Sequence, residues 1–197
     1  MISTLTRQQF EHACKAYIHK HADPSKYYPS HWEWHEHSYL SGFGYLSYTL
    51  EEDIDDAVTP ASNIELASGH LYVVYSATFQ VPALYFALHH SNGTPLTLDE
   101  IVQSPLFRRG FLPNRSNNFA LEAPDSSFAM LSQGDHPTLN TPCWYFHPCH
   151  TSEVMSEIMK ELDMEGRAEE EWLGQWIESW FMVIGNFVNF ACISGYK

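Results

Sequence analysis

The residues of this chain best suited to covalent chemistry lie between Thr141 and Ser152, where Cys149 sits in the run His147-Pro148-Cys149-His150. A cysteine attacks a carbonyl as its thiolate, and a nearby imidazolium or a helix N-terminus favours that form. Both are expected here. Trp144, Tyr145 and Phe146 read as a buried strand, Pro148 ends it, and Thr151 or Ser152 can cap a helix with apolar positions Val154, Met155, Ile158, Met159 and Leu162. Cys149 then precedes a helix start, where a nucleophile would be sought. Two other readings stand beside this one. Cysteine is among the most buried residue types, so Cys149 can be an inert core residue. Cys143, His147, Cys149 and His150 can also be imagined around zinc, although C-x3-H-x-C-H is not a usual paired-ligand pattern and no second knuckle accompanies it.

A second cluster, His31-Trp32-Glu33-Trp34-His35-Glu36-His37, puts His35 and His37 on one strand face. It lacks a third ligand of clear spacing and reads as an amphipathic edge segment rather than a metal site. No P-loop, dinucleotide fingerprint, nucleophile-elbow serine or internal repeat occurs in the sequence.

The elements that would position Cys149 follow from periodicity. Thr6 and Gln9 form a capping-box pair before Phe10, Cys14, Tyr17, Ile18 and His21, which predicts a helix over Arg7–His21, stopped by Asp23-Pro24. Strands are expected over Phe43–Leu50, Leu71–Ser76, Phe79–His89 and Phe128–Gln133. Pro82 points to an edge or a bulge within the third, which makes Leu71–His89 a candidate docking edge. Thr97 with Glu100 caps a short helix, and Ala57–Gly69 reads as a connection. Phe107–Ser127, with its prolines, arginines and asparagines, reads as a long loop or insertion. Trp172, Leu173, Trp176, Ile177, Trp180, Phe181 and Ile184 repeat at helical spacing, which is core packing rather than a cofactor box.

With 197 residues, 44% of them hydrophobic, the chain suits one α+β domain spanning 1–197, with the insertion around 107–127. Ten Lys and Arg against 24 Asp and Glu give a net charge of −14, which argues against nucleic acid and for a basic protein surface as partner. Cysteines at 14, 143, 149 and 192 do not form a secreted disulfide framework, and Met1–Gln9 has no signal-like apolar run, so a reducing, cytoplasmic setting is expected. Ser179–Tyr196 carries no charge over 18 residues, but Gly185, Asn186 and Asn189 interrupt it; a buried terminal helix is expected there, not a membrane span.

Several blocks, read in order, resemble the autophagy-related protein 10 family of E2-like conjugating enzymes. They are Tyr72–Ser76 through Gln80–Phe86, Gly93–Leu98, Gln133–Pro137, Pro142–Thr151, and the close from Trp180-Phe181 through Gly185 to Tyr196. The resemblance implies a ubiquitin-conjugating-enzyme-like antiparallel sheet flanked by helices. It implies that Cys149 takes the ubiquitin-like autophagy protein 12 as a thioester from an E1-like activating enzyme (autophagy protein 7). It implies transfer to a lysine of autophagy protein 5, with no metal or organic cofactor. A binding module of similar fold with a structural Cys149 is the rival.

Two departures from the pattern matter. Ordinary ubiquitin-conjugating enzymes carry an asparagine after a His-Pro pair, where this chain has Thr138 after His136-Pro137. Asn140 lies roughly 30 Å of extended chain from Cys149 and reaches it only if the chain folds back. The family resemblance instead assigns a role to His147, two before the cysteine, which strand alternation would put on the face of Cys149. The family commonly pairs that position with a tyrosine; here the position is Phe79, which keeps the ring and lacks the hydroxyl.

Overall fold

The computed structural model describes residues 3–21, 32–40, 42–51, 68–108, 116–117, 120–122, 129–162 and 166–190. Their elements are α1 (Arg7–His21), β1 (Glu33–His35), β2 (Tyr45–Glu51), β3 (Ser68–Ser76), β4 (Val81–His89), α2 (Leu98–Gln103), β5 (Ser116–Asn117), β6 (Ala120–Glu122), β7 (Ala129–Asp135), β8 (Pro142–Phe146), a 3-10 turn (Pro148–His150), α3 (Thr151–Glu161) and α4 (Glu169–Ile184). The eight strands form one antiparallel sheet in the order β1-β2-β3-β4-β8-β7-β6-β5. The expected α+β class, an antiparallel sheet with flanking helices, is what is found.

Alternation sorts the sheet into two faces. Leu71, Val73 and Tyr75 of β3, Leu84 and Phe86 of β4, and Trp144 and Phe146 of β8 are buried in one core with α1 and α4. From α1 come Phe10, Ala13 and Cys14, and from α4 come Leu173, Trp176, Ile177 and Trp180. Tyr17 stacks on Phe181 at 4.4 Å, tying the two helices together. The opposite face carries Tyr72, Tyr85 and Tyr145, side by side in register across β3, β4 and β8, with Tyr45 of β2 diagonally against Tyr72.

Helix α1 has the bounds its periodicity predicts, and its Thr6–Gln9 box is formed: Gln9 N–H donates to Thr6 Oγ1 (3.2 Å) and Thr6 N–H to Gln9 Oε1 (3.0 Å). The Thr97–Glu100 box at α2 is complete as well.

Several expectations are corrected. The β3–β4 hairpin is no edge: it lies mid-sheet, between β2 and β8. Pro82 is tolerated because β8 pairs only with Tyr85 and Phe86, so the ladder on that side has ended before position 82. Within the stretch read as an insertion, residues 116–117 and 120–122 form strands that extend the sheet beyond β7, and Phe107 is a core residue bridged to Val188. Beyond Arg108, the rest of that stretch, most of Ala57–Gly69, His31 and Cys192 lie outside the described residues. His35 does sit on a strand at the sheet's β1 margin, bonded to Ser47 Oγ (2.7 Å), while His37 Nδ1 accepts from the backbone of Tyr39 and Leu40. No described helix is long and apolar enough to cross a membrane.

Candidate active site

Strand β8 leads from the core into the stretch that holds Cys149. Trp144 and Phe146 anchor it from one face, and Leu131–Phe146 is the last pair of its ladder with β7. Pro148 then takes the first place of a 3-10 turn, where its missing N–H is no loss. His147 is the residue before that turn, with extended backbone (φ −69°, ψ 122°). Cys149 lies inside the turn, half-buried, and the chain continues directly into α3.

This differs from the sequence reading in two ways. The strand stops at Phe146, so alternation does not carry on to Cys149; its direction is set by the 3-10 turn instead. Nor does Thr151 or Ser152 cap α3, because the turn runs into the helix with His150 at the cap position and no side-chain cap bond. A cap needs extended backbone at that residue, and His150 is already helical (φ −98°, ψ −3°). On α3, Met155 and Met159 face the core as expected, whereas Val154 is 37% exposed.

The three described cysteines are not alike. Cys14 is fully buried on α1 and Cys143 is buried on β8; in both, burial is the main cause that pushes the thiol's pKa up, away from the thiolate. Cys149 alone among them is not buried. No group of three or more His, Cys, Asp or Glu among the described residues is placed to hold a metal, so the zinc set Cys143, His147, Cys149, His150 is not assembled.

His147 and Phe79 are brought together. Phe79 lies in the turn between β3 and β4, and its ring meets the imidazole edge-to-face, 5.3 Å between centroids at 74°. That turn is held at both ends. Gln80 adopts a left-handed φ of 54° with its N–H on Ser76 O (2.7 Å), and its carbonyl accepts from Leu5 N–H (2.8 Å). Burial lowers the His147 pKa from the ordinary 6.5, and nearby His150 lowers it further. His147 is therefore neutral at neutral pH, which removes it as the imidazolium expected beside Cys149. A neutral imidazole offers one N–H and one lone pair, enough to donate to a developing oxyanion or to take a proton from an amine.

His136 is a residue whose part the sequence did not disclose. It is 0% exposed, and its ring contacts Tyr45, Tyr72 and Tyr85 at 4.9, 4.7 and 5.9 Å. The chain after β7 thus folds over the tyrosine face. Nδ1 of His136 accepts from Thr138 N–H (3.1 Å) and Leu139 N–H (3.0 Å), and Thr138 Oγ1 donates to Phe43 O (3.2 Å). The only sequence hint was the His136-Pro137 pair itself. Asn140, left-handed at φ 53°, closes this turn through its N–H on His136 O (2.9 Å), which gives it a structural task.

Comparison with known proteins places these features. The chain is 32% identical over 140 residues to "Ubiquitin-like-conjugating enzyme ATG10" of Arabidopsis thaliana, covering 71% of this chain and 57% of that protein. To the protein of the same name in Homo sapiens it is 25% identical over 143 residues, 73% of this chain and 58% of the other. It is also similar to "Autophagy-related protein 3" of Candida glabrata, at 29% over 126 residues, 62% of this chain and 35% of that protein. The chain thus spans a little under three-fifths of the two ATG10 relatives' length. A family model described as "Autophagocytosis associated protein, active-site domain" matches residues 9–194, from α1 past the end of α4. By that match, over nearly all of its length, the chain belongs to the autophagocytosis associated protein family and carries its active-site domain.

Proposed function

We propose that this chain is an E2-like enzyme that carries the ubiquitin-like autophagy protein 12 on Cys149 and passes it to a lysine of autophagy protein 5. The observation that carries the reading is Cys149 itself: half-buried in a 3-10 turn beside His147, when Cys14 and Cys143 are enclosed. Its likeness to relatives named ubiquitin-like-conjugating enzyme supports the reaction class.

The chemistry has two acyl transfers. The Cys149 thiolate attacks the modifier's C-terminal carbonyl, held as a thioester on the E1-like activating enzyme (autophagy protein 7), and that enzyme's thiolate leaves. The acceptor lysine's amine then attacks the new thioester; a C–N bond forms, the C–S bond breaks and the Cys149 thiolate departs. The amine must shed a proton and the carbonyl oxygen carries transient negative charge. His147, neutral and turned by Phe79, is the group assigned to that step.

Reconstitution tests the reading. Full-length chain, activating enzyme, modifier and ATP should give a thiol-sensitive adduct, and adding the acceptor should convert it to a thiol-resistant conjugate. If the chain binds modifier or acceptor but forms no adduct, it is a binding module with a structural Cys149. If the adduct forms with a different ubiquitin-like modifier and not with autophagy protein 12, the reaction class stands and the named substrates fall.

A further inference from the structure

A second ring meets His147, from the strand that leads into it. Tyr145 stands two residues earlier, on β8, which ends at Phe146 just before His147. Their ring centroids are 6.3 Å apart at 35°. Tyr145 is itself held from both sides. On β4, its register partner Tyr85 stacks on it at 4.9 Å and 18°. On β7, its register partner is Ser132, and the ring leans diagonally over Gly134, which is paired with Cys143. A Cβ there would lie 3.1 Å from Cε1 and 3.6 Å from Cδ1 of Tyr145. The ring occupies space that any other residue at 134 would contest.

His147 has need of such a hold. It follows the last β7–β8 pair and precedes the 3-10 turn, so the ladder no longer fixes its backbone. Ring contacts with Phe79 and Tyr145 constrain its side chain. We propose that Tyr145, seated over Gly134 and stacked on Tyr85, is a positioning residue for acyl transfer that fixes the His147 imidazole together with Phe79. This rests on the reading of Cys149 as acyl carrier and His147 as the assisting group. Orientation of such a group governs rate steeply, since misplacement by about 1 Å can cost roughly 100-fold.

The role separates from simple packing by what it moves. Among the described residues, the titratable groups shown to face His147 are His150 of the 3-10 turn, Tyr145 on β8 and, one ring further, Tyr85 on β4, with Cys149 two residues on in sequence. Losing the Tyr145 ring admits water to the imidazole. Since burial is the main cause that lowers its pKa, ionisation then moves up toward the ordinary 6.5.

The test uses full-length chain, preloaded with modifier, in single-turnover discharge onto acceptor across pH, with a histidine NMR titration alongside. Tyr145→Ala should load within about twofold of wild type and discharge roughly tenfold more slowly. Tyr145→Phe should keep the wild-type rate, and Gly134→Val should slow discharge as Tyr145→Ala does. Added to His147→Ala, Tyr145→Ala should cost nothing further, as expected of residues acting as one unit. His147 should titrate at higher pH in Tyr145→Ala; Tyr145→Leu serves the same purpose if the alanine variant does not fold. Wild-type discharge in Tyr145→Ala, equal slowing with and without His147, or an unmoved His147 titration would overturn the proposal. A wild type that takes no modifier, or a His147→Ala variant that discharges normally, overturns the underlying reading instead; the NMR shift reports on the ring contact in either case.

Discussion

Cys149 and Cys143 are six positions apart and differ in burial. Cys143 is 5% exposed on β8 with its thiol held protonated, and Cys149 is the half-buried residue of the turn. Cys149→Ala should therefore abolish adduct formation and leave thermal unfolding nearly unchanged. Cys143→Ala should keep the adduct and lose about 1 kcal/mol of stability, read by urea titration. An exchange of these outcomes would reassign the nucleophile. His147 adds a pH signature. Its folded pKa lies below 6.5, so the neutral form persists to lower pH than in a free imidazole. Discharge should hold its rate as pH falls through 6.5 and drop only below that point, and His147→Ala should lose roughly 10²–10³ in discharge rate together with that acid limb. Equal slowing of loading would mean that His147 acts on the cysteine or the fold.

At the scale of elements, the turn between β7 and β8 carries the most consequential buried histidine. Burial lowers the His136 pKa from 6.5 to about 4. The sign follows: the unfolded chain binds this proton below 6.5 and the folded chain does not until about 4, so stability rises with pH across that window. The contribution is fully present above 6.5, is lost as pH falls and levels off below 4, in total on the order of 3 kcal/mol. His136→Asn, which keeps an acceptor for the Thr138 and Leu139 N–H groups, should show a flatter stability–pH curve between those limits by urea unfolding. Parallel curves would mean that His136 titrates normally.

How far the sequence revealed these elements depended on whether the signal was local. The bounds of α1, its Thr6–Gln9 box and the Thr97–Glu100 box were legible because capping joins residues three apart. The turn that holds Cys149 was legible because a Pro after a strand forces a turn. The 3-10 geometry was not, and with it went the alternation argument for His147 and the helix cap. Pro82 misled because a proline reports a missing donor but not which neighbour lacks a partner. That depends on where β8 ends, a pairing set some 60 residues away. His136 over the tyrosines was invisible for the same reason: Tyr45, Tyr72 and Tyr85 come from three separate strands.

For the whole molecule, the sheet and α1–α4 layer make a rigid support whose turns hold the site. Trp176 and Trp180, both 0% exposed, fill the space between α4 and the sheet. Trp180→Ala should cost about 3–5 kcal/mol in urea unfolding, without changing the discharge rate of the fraction that remains folded. The surface is strongly acidic, with a net charge of −14, and Glu153, Glu157 and Glu161 stand exposed along α3, the helix that begins at the Cys149 turn. Loading by the activating enzyme should therefore slow as salt rises, as steered association between complementary charges does. Under the proposed function, Cys149 carries the acyl group. Mass spectrometry of the non-reduced adduct, digested without thiols, tests it most directly. The modifier's C-terminal peptide should be found linked to Cys149, released by thiol, and replaced in Cys149→Ser by a thiol-resistant, alkali-labile ester at the same position. A modifier peptide on Cys14, Cys143 or a lysine, or an adduct persisting in Cys149→Ala, would contradict it.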